Sequence, residues 1–285
     1  MDLTDACFHD YKTCNKSGGP GLTFGGNRQA SLHSEEETLR FPRFFINREI
    51  NTGDRVTITG SDAKHISSVL RMKTGEKAVL CDNSEYDCPS EIISADNRAI
   101  EFLVLSKRMN DAEPNIYIRL FQCVPKGDKL DFIVQKSAEL GVSEIIPVIS
   151  KRCVSRPENS DKKDGKISRL QKIAEQAAKQ SGRGKIPRVQ EFTDFYSALK
   201  LFNNENLGII FYENGGAKIN DIIEKRNGFE CADIFIGSEG GFERGEVEAA
   251  VKAGFVPASL GRLILRTETA PIAAVSILMN LTGNI

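Results

Sequence analysis

Ala232–Asp–Ile–Phe–Ile–Gly–Ser–Glu–Gly–Gly241 and, shortly after it, Ala258–Ser–Leu–Gly–Arg–Leu–Ile–Leu–Arg–Thr–Glu–Thr–Ala270 decide how this chain folds. Each is a short apolar run that ends in glycine, hydroxyls and one carboxylate and then opens into a predicted helix. Short, wholly apolar strands that alternate with helices are buried on both faces, as in a parallel sheet. Ligands of such sheets bind in the crevice at the carboxyl ends of the strands. A third end, Ile209–Ile–Phe–Tyr–Glu–Asn–Gly–Gly216, has the same form. Three such ends can converge on one small molecule, although spacing alone equally allows three ordinary loops.

Working outward from these ends, the alternation extends back to Asn115. Strands are predicted over Ile116–Val124, Glu144–Ile149, Leu207–Tyr212, Ala232–Ile236 and Val256–Leu260. Between and after them come helices over Gly127–Leu140, Lys166–Gln180, Thr193–Phe202, Ile219–Arg226, Glu243–Ala253 and Thr267–Leu281. The result is an α/β domain, a mostly parallel sheet covered on both faces. Asp111–Ala–Glu–Pro114 reads as a linker. Before it, short β runs at Phe44–Ile46, Arg55–Thr59, Lys77–Cys81, Tyr86–Ser94 and Ile100–Lys107 suggest a small β-barrel. One helix interrupts them, with Ser61 as its N-cap and Ile66, Val69 and Leu70 on one face. Residues 1–40 are rich in glycine, serine, asparagine and charge and read as a disordered extension, leaving domains at 41–111 and 115–285.

Composition excludes several classes. No window approaches the run of uncharged apolar residues that a membrane-spanning helix needs, and no secretory signal stands at the N-terminus, so a cytoplasmic protein is expected. Seven cysteines without CxxC or Cys/His ligand spacing read as reduced, mostly buried thiols rather than a metal site. All three histidines precede residue 66, which argues against a Ser/His/Asp site. Net charge is −1, but from Arg119 to Arg188 sixteen Lys and Arg stand against eight Asp and Glu. Such a segment fits a polyanion such as RNA, or a solvated helix face.

The glycines at 237, 240 and 241 permit close approach of a ligand to the backbone. Their spacing is neither GxGxxG nor GxxxxGK[ST], so a dinucleotide fingerprint and a P-loop are both unsupported. Thr267 or Thr269 can cap the last helix, with Pro271 in its first turn. Capping does not call for Arg266, a cation where the helix dipole disfavours one; it makes sense opposite an anion or developing negative charge.

Six ordered motifs then carry a family resemblance. Pro42–Arg–Phe–Phe45, HISSVLR from His65 to Arg71, Gln135–Lys–Ser–Ala–Glu–Leu–Gly–Val142, Gln176–Ala–Ala–Lys–Gln–Ser–Gly–Arg183, Ile236–Gly–Ser–Glu–Gly–Gly–Phe242 and Ser259–Leu–Gly–Arg–Leu–Ile–Leu–Arg–Thr–Glu–Thr–Ala270 together resemble the RsmE family. These are the 16S ribosomal RNA uridine-N3 methyltransferases of the SPOUT superfamily. The resemblance runs from about residue 41 to the C-terminus; one departure is Ser238, where the family usually has proline. It implies a PUA-like barrel that helps grip RNA and an α/β domain with a trefoil knot that binds S-adenosylmethionine. It also implies a homodimer acting on 16S rRNA or the 30S subunit. A non-catalytic RNA-binding protein of the same fold is the rival reading. On the methyltransferase reading Arg266 stabilises the developing anion and Glu268 or Glu239 accepts a proton. Tyr212, Glu213, Gly237, Gly240, Gly241, Leu260, Gly261, Ile264, Leu265 and Thr267 line the cofactor pocket. Arg43, Lys126, Lys136, Arg152 and Arg183 hold rRNA phosphates.

Overall fold

Residues 41–96, 98–156, 160–226 and 228–285 are described by the computed structural model of the chain, with the side chains of residues 160–162 excepted. The extension expected over 1–40 lies outside the described residues. The first domain is a curled sheet of β1 (Arg43–Phe45), β2 (Arg55–Thr59), β3 (Lys77–Cys81), β4 (Tyr86–Ala95), β5 (Ala99–Val104) and β6 (Arg108–Met109). Its order is β1-β3-β4-β5-β2, with β6 on β4, so the barrel is open between β1 and β2. Alternating residues Val56 and Ile58 of β2, and Ile100, Phe102 and Val104 of β5, fill its interior. Period-two burial is what an antiparallel sheet with one wet face produces.

Between β2 and β3, α1 (Gly60–Lys64) continues into a wider π-type turn over His65–Leu70. Ser61 is not its cap: Thr59 precedes the first turn, and no side chain bonds there. Ile66 is buried, but the wider winding carries Val69 out to 66% exposure and Leu70 to 39%, so the expected single apolar face is broken.

In the second domain β7 (Tyr117–Cys123), β8 (Glu144–Ile149), β9 (Arg188–Val189), β10 (Thr193–Asp194), β11 (Leu207–Phe211), β12 (Ala217–Lys218), β13 (Cys231–Ile236) and β14 (Val256–Ser259) form a sheet. Its order is β10-β8-β7-β13-β11-β14-β12, with β9 on β8, and every pairing is parallel. Helices α2 (Lys129–Glu139), α3 (Ser160–Ser181), α5 (Ile219–Arg226) and α7 (Thr269–Leu281) help bury one face, where Leu120, Ile133, Leu170, Ile209, Ile234 and Val275 meet. On the other face α4 (Phe195–Leu199) and α6 (Arg244–Ala253) cover an aromatic cluster. There Phe121 and Phe235 stack with centroids 4.4 Å apart, and Phe195 and Phe242 pack around them. Adjacent strand residues point to opposite faces, which is why these strands are apolar throughout.

Three helix boundaries depart most from the periodicity: α3 begins at Ser160, six residues before the expected Lys166. The helix expected over Thr193–Phe202 is only Phe195–Leu199, capped by the Asp194 carboxylate, which accepts from the Tyr196 and Ser197 N–H groups at 3.0 Å. Phe202 instead leaves the helix and packs on Phe255, with centroids 4.2 Å apart. At α7 the cap is Glu268 rather than a threonine, because the Thr267 hydroxyl is used elsewhere.

The two sheets are tied across the linker. Glu113 accepts from Arg183 Nε and Nη2, both at 3.2 Å, and from the Gly184 and Lys185 N–H groups at 3.0 Å. Arg183 Nη1 donates to the Ala138 and Val142 carbonyls. Asn110 Nδ2 links Asp87 of β4 to the Gly182 carbonyl. Two expectations are corrected here. Arg183 is 3% exposed, and Arg43 is 8% exposed and bidentate to Asp87 at 2.6 Å. A guanidinium enclosed with its carboxylate presents no charge to a phosphate.

Candidate functional site

The carboxyl ends of β11, β13 and β14 lie side by side, because β13 and β14 both pair with β11. The chain leaves β14 and returns past the end of β11 to the end of β13, where Thr267 Oγ1 donates to the Gly237 carbonyl at 2.9 Å. At the start of that return the Tyr212 N–H donates to the Ala258 carbonyl at 3.0 Å. Gly216 lies so close that a Cβ on it would meet the Ala258 backbone at 2.7 Å. Three loops, 212–216, 237–241 and 260–268, are thereby pressed together.

The loop after β13 is a tight turn: the Gly241 N–H donates to the Ser238 carbonyl at 2.9 Å. Gly241 has φ +65, a left-handed value that costs a residue with a side chain about 1–2 kcal/mol. A Cβ there would also lie 2.8 Å from the Glu213 carboxyl carbon, so this carboxylate rests directly on the glycine. A Cβ on Gly240 would meet that of Arg152 at 2.9 Å, and Arg152 Nη1 donates to the Gly240 carbonyl at 3.0 Å. Arg152 is thus a wall of this loop as well as an exposed cation. Below it, Glu246 is 3% exposed and accepts the Lys151 and Glu243 N–H groups at 2.9 Å, fixing the start of α6.

On the opposite rim, Lys129 Nζ lies 3.1 Å from Glu239 and 3.0 Å from Glu268. The Lys126 N–H also donates to Glu239, at 3.2 and 3.3 Å. Partial burial opposes charge on Glu239, but hydrogen bonds from its own N–H, from Lys129 and from Lys126 outweigh it and hold the carboxyl below the usual carboxylate range. Glu268 is lowered by its own N–H first and by Lys129 next. Lys129 is raised, chiefly by Glu268 and then Glu239. At neutral pH all three are charged, and acidification through the depressed carboxyl values is what would dissolve the cluster.

Of the residues named from sequence, Tyr212, Glu213, Gly237, Gly240, Gly241, Thr267 and Glu239 are therefore brought together, with Glu268 beside them. Leu260 is half-buried against the core, and Leu265 is half-buried. Gly261 takes φ +108 where the segment turns, and Ile264 stands 89% exposed beside Leu263 at 80%. Arg266 is exposed, and its side chain enters no ion pair with the described residues. Lys126 is exposed, whereas Lys136 is half-buried and paired with Glu139 at 2.8 Å. The tie made by Lys129 was not legible in the sequence, because its partners lie more than a hundred positions away.

This geometry has known counterparts. The family model of an RNA methyltransferase domain matches residues 112–279, and that of an RNA methyltransferase PUA domain matches residues 58–105. The ribosomal RNA small subunit methyltransferase E of Buchnera aphidicola is 33% identical over 246 residues, covering 86% of this chain and 98% of its own. That of Bacillus subtilis is 31% identical, covering 82% and 94%. The crystal structure of the Neisseria gonorrhoeae enzyme bound to S-adenosyl methionine has a TM-score of 0.78 at 33% identity, covering 85% of this chain and 98% of its own. With both domain models matched in order and relatives aligned over nearly their whole length, the chain belongs to the ribosomal RNA small subunit methyltransferase E family.

Proposed function

We propose that this chain transfers a methyl group from S-adenosylmethionine to N3 of a uridine in 16S ribosomal RNA, in free RNA or in the small subunit. The observation that carries the reading is the closure of loops 212–216, 237–241 and 260–268 on one another, with Glu213 resting on Gly241. The residues present fit an adenosyl group. Glu213 offers a carboxylate to ribose hydroxyls, the glycines at 237, 240 and 241 leave backbone groups within a ligand's reach, and Leu260, Ile264 and Leu265 supply an apolar wall. Gly261 and Thr267 complete the lining, with Tyr212 behind the Ala258 carbonyl.

The cofactor, when bound, supplies an activated methyl group, so the protein's work is to hold the acceptor in line and to handle one proton. Uridine N3 must lose its hydrogen, which leaves negative charge shared with the neighbouring base carbonyl oxygens. Arg266 is placed to face that charge, an exposed guanidinium without an ion pair among the described residues. Glu268 is the stronger candidate to take the proton, since Glu239 is more fully engaged, by the Lys126 N–H as well as Lys129. The exposed Lys126 and Arg152 give rRNA phosphates a positive edge at the loop, and Lys136, paired with Glu139, would add to it from further along α2. Residues 41–111 act as the RNA-gripping domain and 115–285 as the catalytic one, and the return of segment 260–268 past β11 is read as the crossing of a trefoil knot. A homodimer working in the cytoplasm completes the proposal; among the described residues no helix is long and apolar enough to cross a membrane.

Two measurements test this. Mass mapping of 16S rRNA from cells lacking the protein is expected to show one unmethylated uridine, restored by the purified chain and S-adenosylmethionine; a full modification pattern would overturn the reading. Gly241→Ala is expected to weaken S-adenosylmethionine binding by about tenfold, since the left-handed backbone and the displaced Glu213 together cost roughly 1.4 kcal/mol or more. Calorimetry showing unchanged affinity would remove this loop from the pocket.

A further inference from the structure

One ammonium group joins three stretches that are far apart in sequence. Lys129 opens α2, Glu239 lies in the loop after β13, and Glu268 directly precedes α7. Lys129 Nζ reaches both carboxylates, at 3.1 and 3.0 Å. A lysine in the first turn of a helix is opposed by the helix dipole, and its side chain here is only 36% exposed, so neither helix formation nor solvation calls for it. What it does is mechanical. Glu239 is flanked by Ser238 and Gly240 of the tight turn, and Glu268 follows Thr267, whose hydroxyl holds Gly237. Lys129 therefore grips the loop 237–241 and the segment 260–268 from the outside, while Thr267 joins them from within.

We propose that Lys129 is a positioning residue of the methyl-transfer site, acting through Glu239 and Glu268 to keep these two rims of the pocket in register. The proposal rests on the S-adenosylmethionine reading above. It makes the two carboxylates unequal as well. Glu239 also accepts the Lys126 N–H, so it serves as the anchor, whereas Glu268 makes its ion pair among the described residues with Lys129 and feels the Arg266 charge as well.

The test uses the full chain with S-adenosylmethionine in calorimetry and 16S rRNA in turnover assays. Lys129→Met is expected to lower kcat/KM by on the order of tenfold to a hundredfold, the size seen when a site is displaced by about an ångström. The melting temperature should stay near that of the wild type, and Lys129→Arg should recover most of the loss. Adding Glu239→Gln to Lys129→Met should cost less than the two single losses combined, because both changes break the Lys129–Glu239 contact. A Lys129→Met protein within twofold of wild type overturns the proposal, as do additive losses in the double variant. A large fall in melting temperature that Lys129→Arg does not reverse makes the lysine merely structural and overturns it equally. Wild-type protein that fails to bind S-adenosylmethionine would instead sink the cofactor reading itself.

Discussion

Arg266→Ala is expected to slow methyl transfer by about a hundredfold to a thousandfold, the loss measured when one donor to a developing oxyanion is removed. Binding of S-adenosylmethionine should change little, and the fold not at all. The reasons lie in the surroundings of the residue. Its side chain is exposed and without an ion pair among the described residues, so nothing in the fold depends on it. Its backbone carbonyl accepts the Thr269 and Ala270 N–H groups at 2.9 Å and so starts α7 whatever the side chain is. The neighbouring Thr267 is locked to Gly237, which fixes where the guanidinium begins. Single-turnover rates at saturating cofactor separate the outcomes: a rate within threefold of wild type would take Arg266 out of catalysis.

Arg183→Met should be strongly destabilising. The guanidinium makes four hydrogen bonds, two to Glu113 and two to carbonyls at the end of α2, and the pair is 3% and 9% exposed. Removing one partner of a buried pair leaves the other charged and uncompensated, at about 3–5 kcal/mol. At roughly 2–4 °C per kcal/mol for a protein of this size, the melting temperature should fall by about 10 °C. A fall of less than about 3 °C would mean that water or the backbone replaces the arginine. Glu113→Gln in the same chain should restore part of the loss, since it removes the stranded charge.

Much of the α/β domain was legible because each strand and helix carries its own pattern. Glu144–Ile149 and Ile219–Arg226 have the predicted bounds, and the glycine-rich ends after Phe211 and Ile236 do lie side by side at the carboxyl ends of neighbouring strands. Pattern fails where a residue's partner is remote. Arg43 and Arg183 look like any surface arginine until Asp87 and Glu113 close on them, 44 and 70 positions away. Arg119 on β7 likewise pairs with Asp233 on the neighbouring central strand β13 at 2.6 Å. Thr267 or Thr269 reads as a cap because helix starts favour threonine; the Thr267 hydroxyl goes instead to a carbonyl thirty positions upstream. The open sheet of the first domain also escaped a local reading, since whether β1 meets β2 depends on the twist accumulated over the strands between them.

The return of segment 260–268 to the end of β13 has a consequence for the order of events during synthesis. β7 and β8 can pair as soon as they emerge, and the first domain earlier still, but the pocket requires β11, β13 and β14 to be in place before Thr267 can reach Gly237. Contacts so late in the chain form last on a ribosome that delivers residues at about 5–20 per second. For about 8–30 s, by that estimate, a growing chain would hold a folded first domain while the ends of β11, β13 and β14 are still unjoined.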